Sequence, residues 1–194
     1  MAKIGLTNLW WSELTEAEDG APSYKGPKTF GKAVSCKVDV TNNDATLYAE
    51  DSLAESDKSF NSAKVTLGVA DDDDAVFAPI LGHKVSEADS DGAGGEMVRN
   101  ANDTAPYIGL GRVITKMVNG ALKYKGEFLY KVKFSEPSQD DTTKGEKVDF
   151  KTPEIEGTAS QLANGDWSAA KTFDTKNAAV TWVKDKLKAA AAQK

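Results

Sequence analysis

Leu122-Lys123-Tyr124-Lys125-Gly126-Glu127-Phe128-Leu129-Tyr130-Lys131-Val132-Lys133-Phe134 is the stretch whose reading decides the fold. Its even positions run Leu, Tyr, Gly, Phe, Tyr, Val, Phe, and its odd positions Lys, Lys, Glu, Leu, Lys, Lys. A side-chain period of two puts these sets on opposite faces, the pattern of a half-buried antiparallel strand. The run outlasts the usual strand of about five or six residues. Asn119-Gly120 precedes it and Asn164-Gly165 follows it. Asn-Gly between alternating apolar residues signals a type I′ hairpin, because both residues accept positive φ. Two long hairpins are therefore expected between Tyr107 and Trp167, in a mainly β chain of packed antiparallel sheets, sandwich-like or orthogonal.

Outward from this stretch, Lys3 to Leu14 reads as a first strand with Trp10 and Trp11 on opposite faces. Either both serve a two-sided core, or a partner buries one of them. Thr15 to Thr29 holds Gly20, Pro22, Gly26 and Pro27 and reads as a loop or extended arm. A strand is expected from Lys32 to Val40, a turn at Asn42-Asn43-Asp44, and a short return strand from Ala45 to Ala49. Glu50 to Asn61 is polar and weakly periodic, hence a long flexible loop. Ser62 to Val69 returns to strand pattern.

Asp71 to Asp74 opens a short flanking helix with Val76, Phe77, Ile80 and Leu81 on one stripe and Gly82 as its stop. Pro79 should kink or shorten it. Residues 86–102 read as a Gly- and Asp-rich insertion, also flexible. Asn177 is expected to cap a C-terminal helix carrying Val180, Val183 and Leu187 on one face, before a fraying Ala-rich tail. The whole is expected to form one domain over residues 1–194.

A chain of 194 residues can bury roughly 70% of its unfolded surface, so it needs no disulfide or metal to hold a core. The single cysteine, Cys36, lies in an alternating run and reads as a small core residue. A formal charge of −6 argues against simple groove binding to duplex DNA. It is compatible with a conduit whose wall DNA passes without sticking. The opening residues are too short in apolar character for a signal peptide, and no segment approaches the roughly 20 apolar residues of a membrane span, so a cytosolic, membrane-free start is expected.

Catalytic and metal patterns are thin. His83 is the only histidine and, following a helix-ending Gly, reads as a packed or capping residue. A Ser-His-Asp or Cys-His set cannot be assembled with conviction around it, and one Cys with one His falls short of a structural zinc site. Gly109-Leu110-Gly111 starts a dinucleotide fingerprint that Ile114 breaks. Glu87, Asp89, Asp91 and Gly92 match half of a calcium loop, but Val98 stands where the closing acid belongs. No cofactor and no catalytic activity are expected. The lysine ridge Lys123, Lys125, Lys131, Lys133 lacks interleaved aromatics for single-strand binding. It reads as a solvated face, or as paired with cross-strand acids such as Asp149. A sugar-binding sandwich using Trp10, Trp167 or Trp182 is the alternative binding-module reading.

Several segments, in order, resemble the major tail proteins of long non-contractile-tailed phages of Gram-positive hosts. They are Ile4-Gly5-Leu6-Thr7-Asn8-Leu9-Trp10-Trp11, Ala45-Thr46-Leu47-Tyr48-Ala49-Glu50-Asp51 with Ala54-Glu55, and Val65-Thr66-Leu67-Gly68-Val69-Ala70-Asp71. Leu81-Gly82-His83-Lys84-Val85, Ala105-Pro106-Tyr107-Ile108-Gly109-Leu110-Gly111 and Tyr130-Lys131-Val132-Lys133-Phe134-Ser135-Glu136-Pro137 continue the series. Thr143 to Pro153 and Gly157-Thr158 close it, while Pro79 and residues 86–102 depart from it.

That resemblance implies a tail tube subunit: packed β-sheets flanked by a helix, and hexameric rings stacked into a hollow tube through which the genome passes. It implies tape measure, tail terminator and baseplate proteins as partners, and residence in the virion after assembly in the host cytoplasm. The related alternative is a secretion-system tube protein. By resemblance, Glu50, Asp51, Ser52, Leu53, Ala54, Glu55, Ser56, Asp57 and Lys58 belong to the ring-to-ring contact loop. Tyr107, Asn119, Gly120, Lys123, Lys125, Lys131, Lys133, Asp149, Asn164 and Gly165 mark the hairpins expected to build the lumen barrel. Six chains of −6 each would give a ring of formal charge −36, and an acidic wall lets DNA slide.

Overall fold

The computed structural model describes residues 2–17, 21–49, 52–70, 73–86, 95–139 and 152–188, with the side chains of 47–49 and 52–54 outside the description. Among these residues the chain is mainly β, with antiparallel sheets and two short helices. The strands are β1 (Ala2–Glu16), β2 (Pro22–Tyr24), β3 (Lys28–Thr29), β4 (Ala33–Asn42), β5 (Ala45–Ala49), β6 (Ser52–Asp57) and β7 (Phe60–Val69). After helix α1 (Asp74–Leu81) come β8 (Lys84–Val85), β9 (Met97–Val98), β10 (Ile108–Val118), β11 (Ala121–Phe134), β12 (Glu154–Ser160), β13 (Ser168–Phe173) and helix α2 (Lys176–Lys186).

The main sheet runs β2-β1-β10-β11-β12-β7-β4, with β13 added to β11 and β3 to β1. Two separate cores cover its two faces. One gathers Leu9, Trp11, Val65, Leu67, Ile108, Leu110 and Val132 with Phe77 and Ile80 of α1, so the sheet rolls until β1 and β7 share a core. The other gathers Leu14, Tyr24, Val113 and Phe128 beneath Ala179 and Val183 of α2. Trp11 is 2% exposed in the first core, and Trp10 packs against the second. Both tryptophans thus serve a two-sided core.

Asn119 (φ 50) and Gly120 (φ 79) join β10 to β11, with Val118 opposite Ala121. Both central residues have the positive φ of a type I′ turn, as the dipeptide demands. Asn164-Gly165 also turns, with Gly165 at φ 88 and its N–H donating to the Leu162 carbonyl (2.9 Å), but it makes no hairpin. β13 pairs with β11 from Tyr124–Phe173 to Leu129–Ser168, and β12 pairs with β11 from Lys131–Ser160 to Phe134–Gly157. β12 and β13 therefore run the same way along one edge of β11, as a single strand interrupted by residues 161–167. Leu162 is 2% exposed in the second core and Trp167 stacks on Phe60 at 4.4 Å, so the excursion is pinned at both ends.

A second correction concerns the alternation of β11. Ile108 faces Val132 while Leu110 faces Leu129, so three steps on β11 oppose two on β10. This β-bulge reverses the inside-outside phase. Phe128 therefore lies under α2, whereas Val132 and Phe134 lie in the other core.

The helices form close to where they are expected. Asp73 Oδ1 accepts from Ala75 N (2.9 Å) to cap α1, and Gly82 ends it in the left-handed region three residues after Pro79. α2 starts two residues earlier than its expected cap: Thr175 Oγ1, not Asn177, accepts from Ala178 N (3.3 Å). The supposed loop of residues 15–29 contains β2 and β3, both added to β1. Part of the 86–102 insertion is strand, since Met97–Val98 pairs with Lys84–Val85. Its acidic half-loop, Glu87 to Gly92, lies outside the described residues.

Candidate functional site

The expected return strand and loop after Asn42 are instead one element. β5 does not fold back on β4; it pairs with β6, from Ala45–Asp57 to Ala49–Ser52. Below it β4 and β7 pair from Asn42–Phe60 down to Ala33–Val69, so the two ribbons continue each other with a break at residues 43–44 and 58–59. Asn43 N donates to Ser59 O (2.8 Å) and Asn43 Nδ2 to Ser59 Oγ (2.9 Å), tying the neck of the ribbon. Lys58 pairs with Asp44 beside them. The β5–β6 arm is a separate two-stranded sheet. Glu55, Ser56, Asp57 and Lys58 are exposed; Ser52, Leu53 and Ala54 lie in β6, and Glu50 and Asp51 lie outside the described residues.

β4 leads into this arm. Among the described residues its ladder is to β7 alone, and seven of its ten residues are exposed. Val40 stays 48% exposed while Cys36 and Val38 pack on the first core. Cys36 is therefore the small packed residue its run implies. Burial pushes its thiol up, against the opposing pull of Arg112.

The lysine ridge does not lie on one face, because the bulge in β11 separates its halves. Lys131 and Lys133 share the face of Tyr107, with ammonium groups 4.5 and 5.3 Å from its ring centre, and Lys131 pairs with Glu16 at 2.8 Å. Lys123 and Lys125 lie on the opposite face. Lys123 pairs with Asp174, and Lys125 with Glu127. Glu127 also accepts from Arg112 Nε (2.9 Å) and Nη2 (2.6 Å), while Arg112 Nη1 reaches the carbonyl of Cys36 (2.8 Å). Burial pushes the Glu127 carboxyl up, but the Lys125 and Arg112 cations overcome this and hold it below its usual range. Asp149, the acid expected to pair with the ridge, lies outside the described residues. A cavity of about 260 Å³ opens beside Arg112, Glu127 and Trp167.

His83 occupies a site that sequence spacing could not reveal. Its side chain is 4% exposed, with Nδ1 at 2.8 Å from Asp103 and Nε2 against Glu136. With an acceptor at each ring nitrogen, the imidazolium is the form that donates both bonds. The hydrogen bond to Asp103 raises the His83 pKa, burial opposes it, and Glu136 adds to the rise. The same bond holds Asp103 below its usual value. Arg99 lies 3.8 Å from Glu136. The partners sit 20 and 53 positions away, so only the fold brings them together. The two carboxylates engage both ring nitrogens, so His83 ties together the segments that carry Asp103 and Glu136.

The tryptophans weighed as a sugar platform are each half-buried, with a neighbouring side chain against the ring. Lys184 lies 4.2 Å above Trp10, Trp167 stacks on Phe60, and Trp182 packs on Phe173 at 6.0 Å. No helix among the described residues is long and apolar enough to cross a membrane. No protein-family model matches the chain, and no curated protein is similar to it in sequence.

Proposed function

We propose that this chain is a structural subunit that assembles with copies of itself into stacked rings, the tail tube of a long-tailed phage. The observation that carries the reading is the β5–β6 arm, a ribbon paired only within itself at the end of a sheet. A lone two-stranded ribbon is marginal in water, and a third strand or a packing surface is what stabilises it. A subunit that leaves such a ribbon unsupported is built to lay it on another molecule. The open edge of β4 adds to this, since a long exposed edge is a template for pairing with a further chain. Closed, cyclic assembly removes such edges, and stacking rings gives the arm a neighbour to contact.

The hexameric ring, the tape measure, terminator and baseplate partners, and passage of DNA through the lumen follow from the tail-protein resemblance. In this reading the chain works by its surfaces and catalyses nothing. Negative-stain electron microscopy of the purified protein, dilute and concentrated, tests it. Six-fold rings or hollow tubes are expected in the concentrated sample. Uniform monomers at every concentration, with saturable binding in a glycan screen, would replace the reading with that of a binding module.

A further inference from the structure

Cross-strand register at the end of the main sheet brings three lysines into one row. Lys3 lies opposite Lys116, and Lys116 lies opposite Lys123. Directly opposed residues of antiparallel strands project from the same face, and like charges placed this way destabilise the sheet. Lys125, opposite Ile114, extends the row toward Arg112. Counted with Glu127 and Asp174, the patch holds five cations and two carboxylates, a formal net of +3 on a chain of −6. Lys3 and Lys116 have no carboxylate partner among the described residues. Lys116 is half-buried, and its pKa is pushed down by burial, then by Lys125 and Lys3, against the opposing pull of Glu127. The folded subunit thus carries an electrostatic cost that an anionic partner would relieve.

The opposite sign is concentrated in the unsupported arm. Between Asp44 and Lys58 the sequence holds five carboxylates and one lysine, a formal net of −4. Asp44 is engaged by Lys58, while Glu55 is exposed and has no cation beside it among the described residues. The arm does not fold back on its own lysine row, since it pairs only within itself. We infer that the Lys3–Lys116–Lys123 row is the docking surface for the acidic β5–β6 arm of a second copy of this chain. The inference rests on the self-assembly reading and adds the receiving surface to it. The contact is head-to-tail, joining different patches on the two copies, so it propagates from copy to copy.

A charge swap between full-length chains tests this. One variant carries Glu50→Lys, Asp51→Lys, Glu55→Lys and Asp57→Lys in the arm, turning its formal net from −4 to +4; the other carries Lys3→Glu, Lys116→Glu and Lys123→Glu in the row, turning the patch from +3 to −3. Circular dichroism and melting temperature establish that both fold. Sedimentation velocity and electron microscopy then follow the wild type, each variant alone, and a one-to-one mixture. The wild type is expected to assemble, and each variant alone to need at least roughly tenfold more protein, because its arm and row now repel. The mixture is expected to assemble again, since each arm then meets a row of opposite sign. Raising the salt should weaken wild type and mixture alike. If the wild type assembles and both variants match it, the docking inference falls while self-assembly stands. A wild type that stays monomeric throughout overturns both. Unaltered assembly combined with loss of duplex-DNA retention in the row variant would make the row a polyanion site and overturn the inference.

Discussion

At the scale of the residue, His83 shows how one buried imidazole can tie distant segments. Its folded pKa lies above the ordinary value of about 6.5. Its contribution to stability is therefore fully present below that pH and is lost as pH rises through the folded pKa. Asp103 behaves inversely: its folded pKa is lowered, so its share is lost only as pH falls through that value. The stability difference between wild type and His83→Gln should shrink as pH is raised from about 5 to about 9. Urea titrations across that range measure it, and a difference constant with pH would refute the clamp. Gly126 is a residue of another kind. A Cβ there would stand 2.8 Å from Trp182 Cε3, so Gly126→Ala should press α2 off the sheet. A loss of about 1–3 kcal/mol is expected in chemical denaturation, the cost of overpacking. The glycine was legible as an apolar-face position of a strand and α2 as a helix; their contact was not, because α2 meets β11 across some fifty intervening residues.

At the scale of the element, what the sequence revealed depended on how local the cause was. Asn119-Gly120 specified its hairpin because the turn needs only the φ angles of two adjacent residues. Asn164-Gly165 carries the same dipeptide, yet direction is restored within residues 161–167, since Leu162 and Trp167 are held by residues far away in sequence. The lysine ridge was misread for a related reason. A bulge near Tyr130 shifts the phase by one, and its one local mark is Leu129, an apolar residue among the charged odd positions. The first strand of the arm is legible at Ala45 to Ala49, but its second reads as loop because the residues after Glu50 are polar, while strand formation there rests on pairing with β5. Removing residues 45–57 would connect Asp44 to Lys58 across the existing Asn43–Ser59 bonds. That deletion is expected to move the melting temperature by no more than a few degrees and to abolish ring stacking. Tubes of normal length from the deleted chain would remove the arm from the assembly contact.

At the scale of the whole molecule, the fold class was legible because it rests on alternation repeated along many strands, and no single bulge can erase it. The surface that matters for the proposed assembly was not, since it arises from register. Lys3 and Lys116 are unremarkable in the sequence and Lys123 stands there only in the ridge along β11; the three become a patch only when β1, β10 and β11 lie side by side. That adjacency has a consequence in time as well as in space. Thr7 of β1 bonds Val113 of β10 from 106 positions away, so the strand made first lacks its long partner until well over half the chain exists, with only short β2 and β3 to pair with earlier. The loop-closure entropy of that pairing must be met before its contacts give any return, which places this protein among the slow folders. On the ribosome, the strand bearing Trp10 and Trp11 holds only its short pairings to β2 and β3 while the β4–β7 hairpin, local in sequence, is free to form ahead of its pairing with β10.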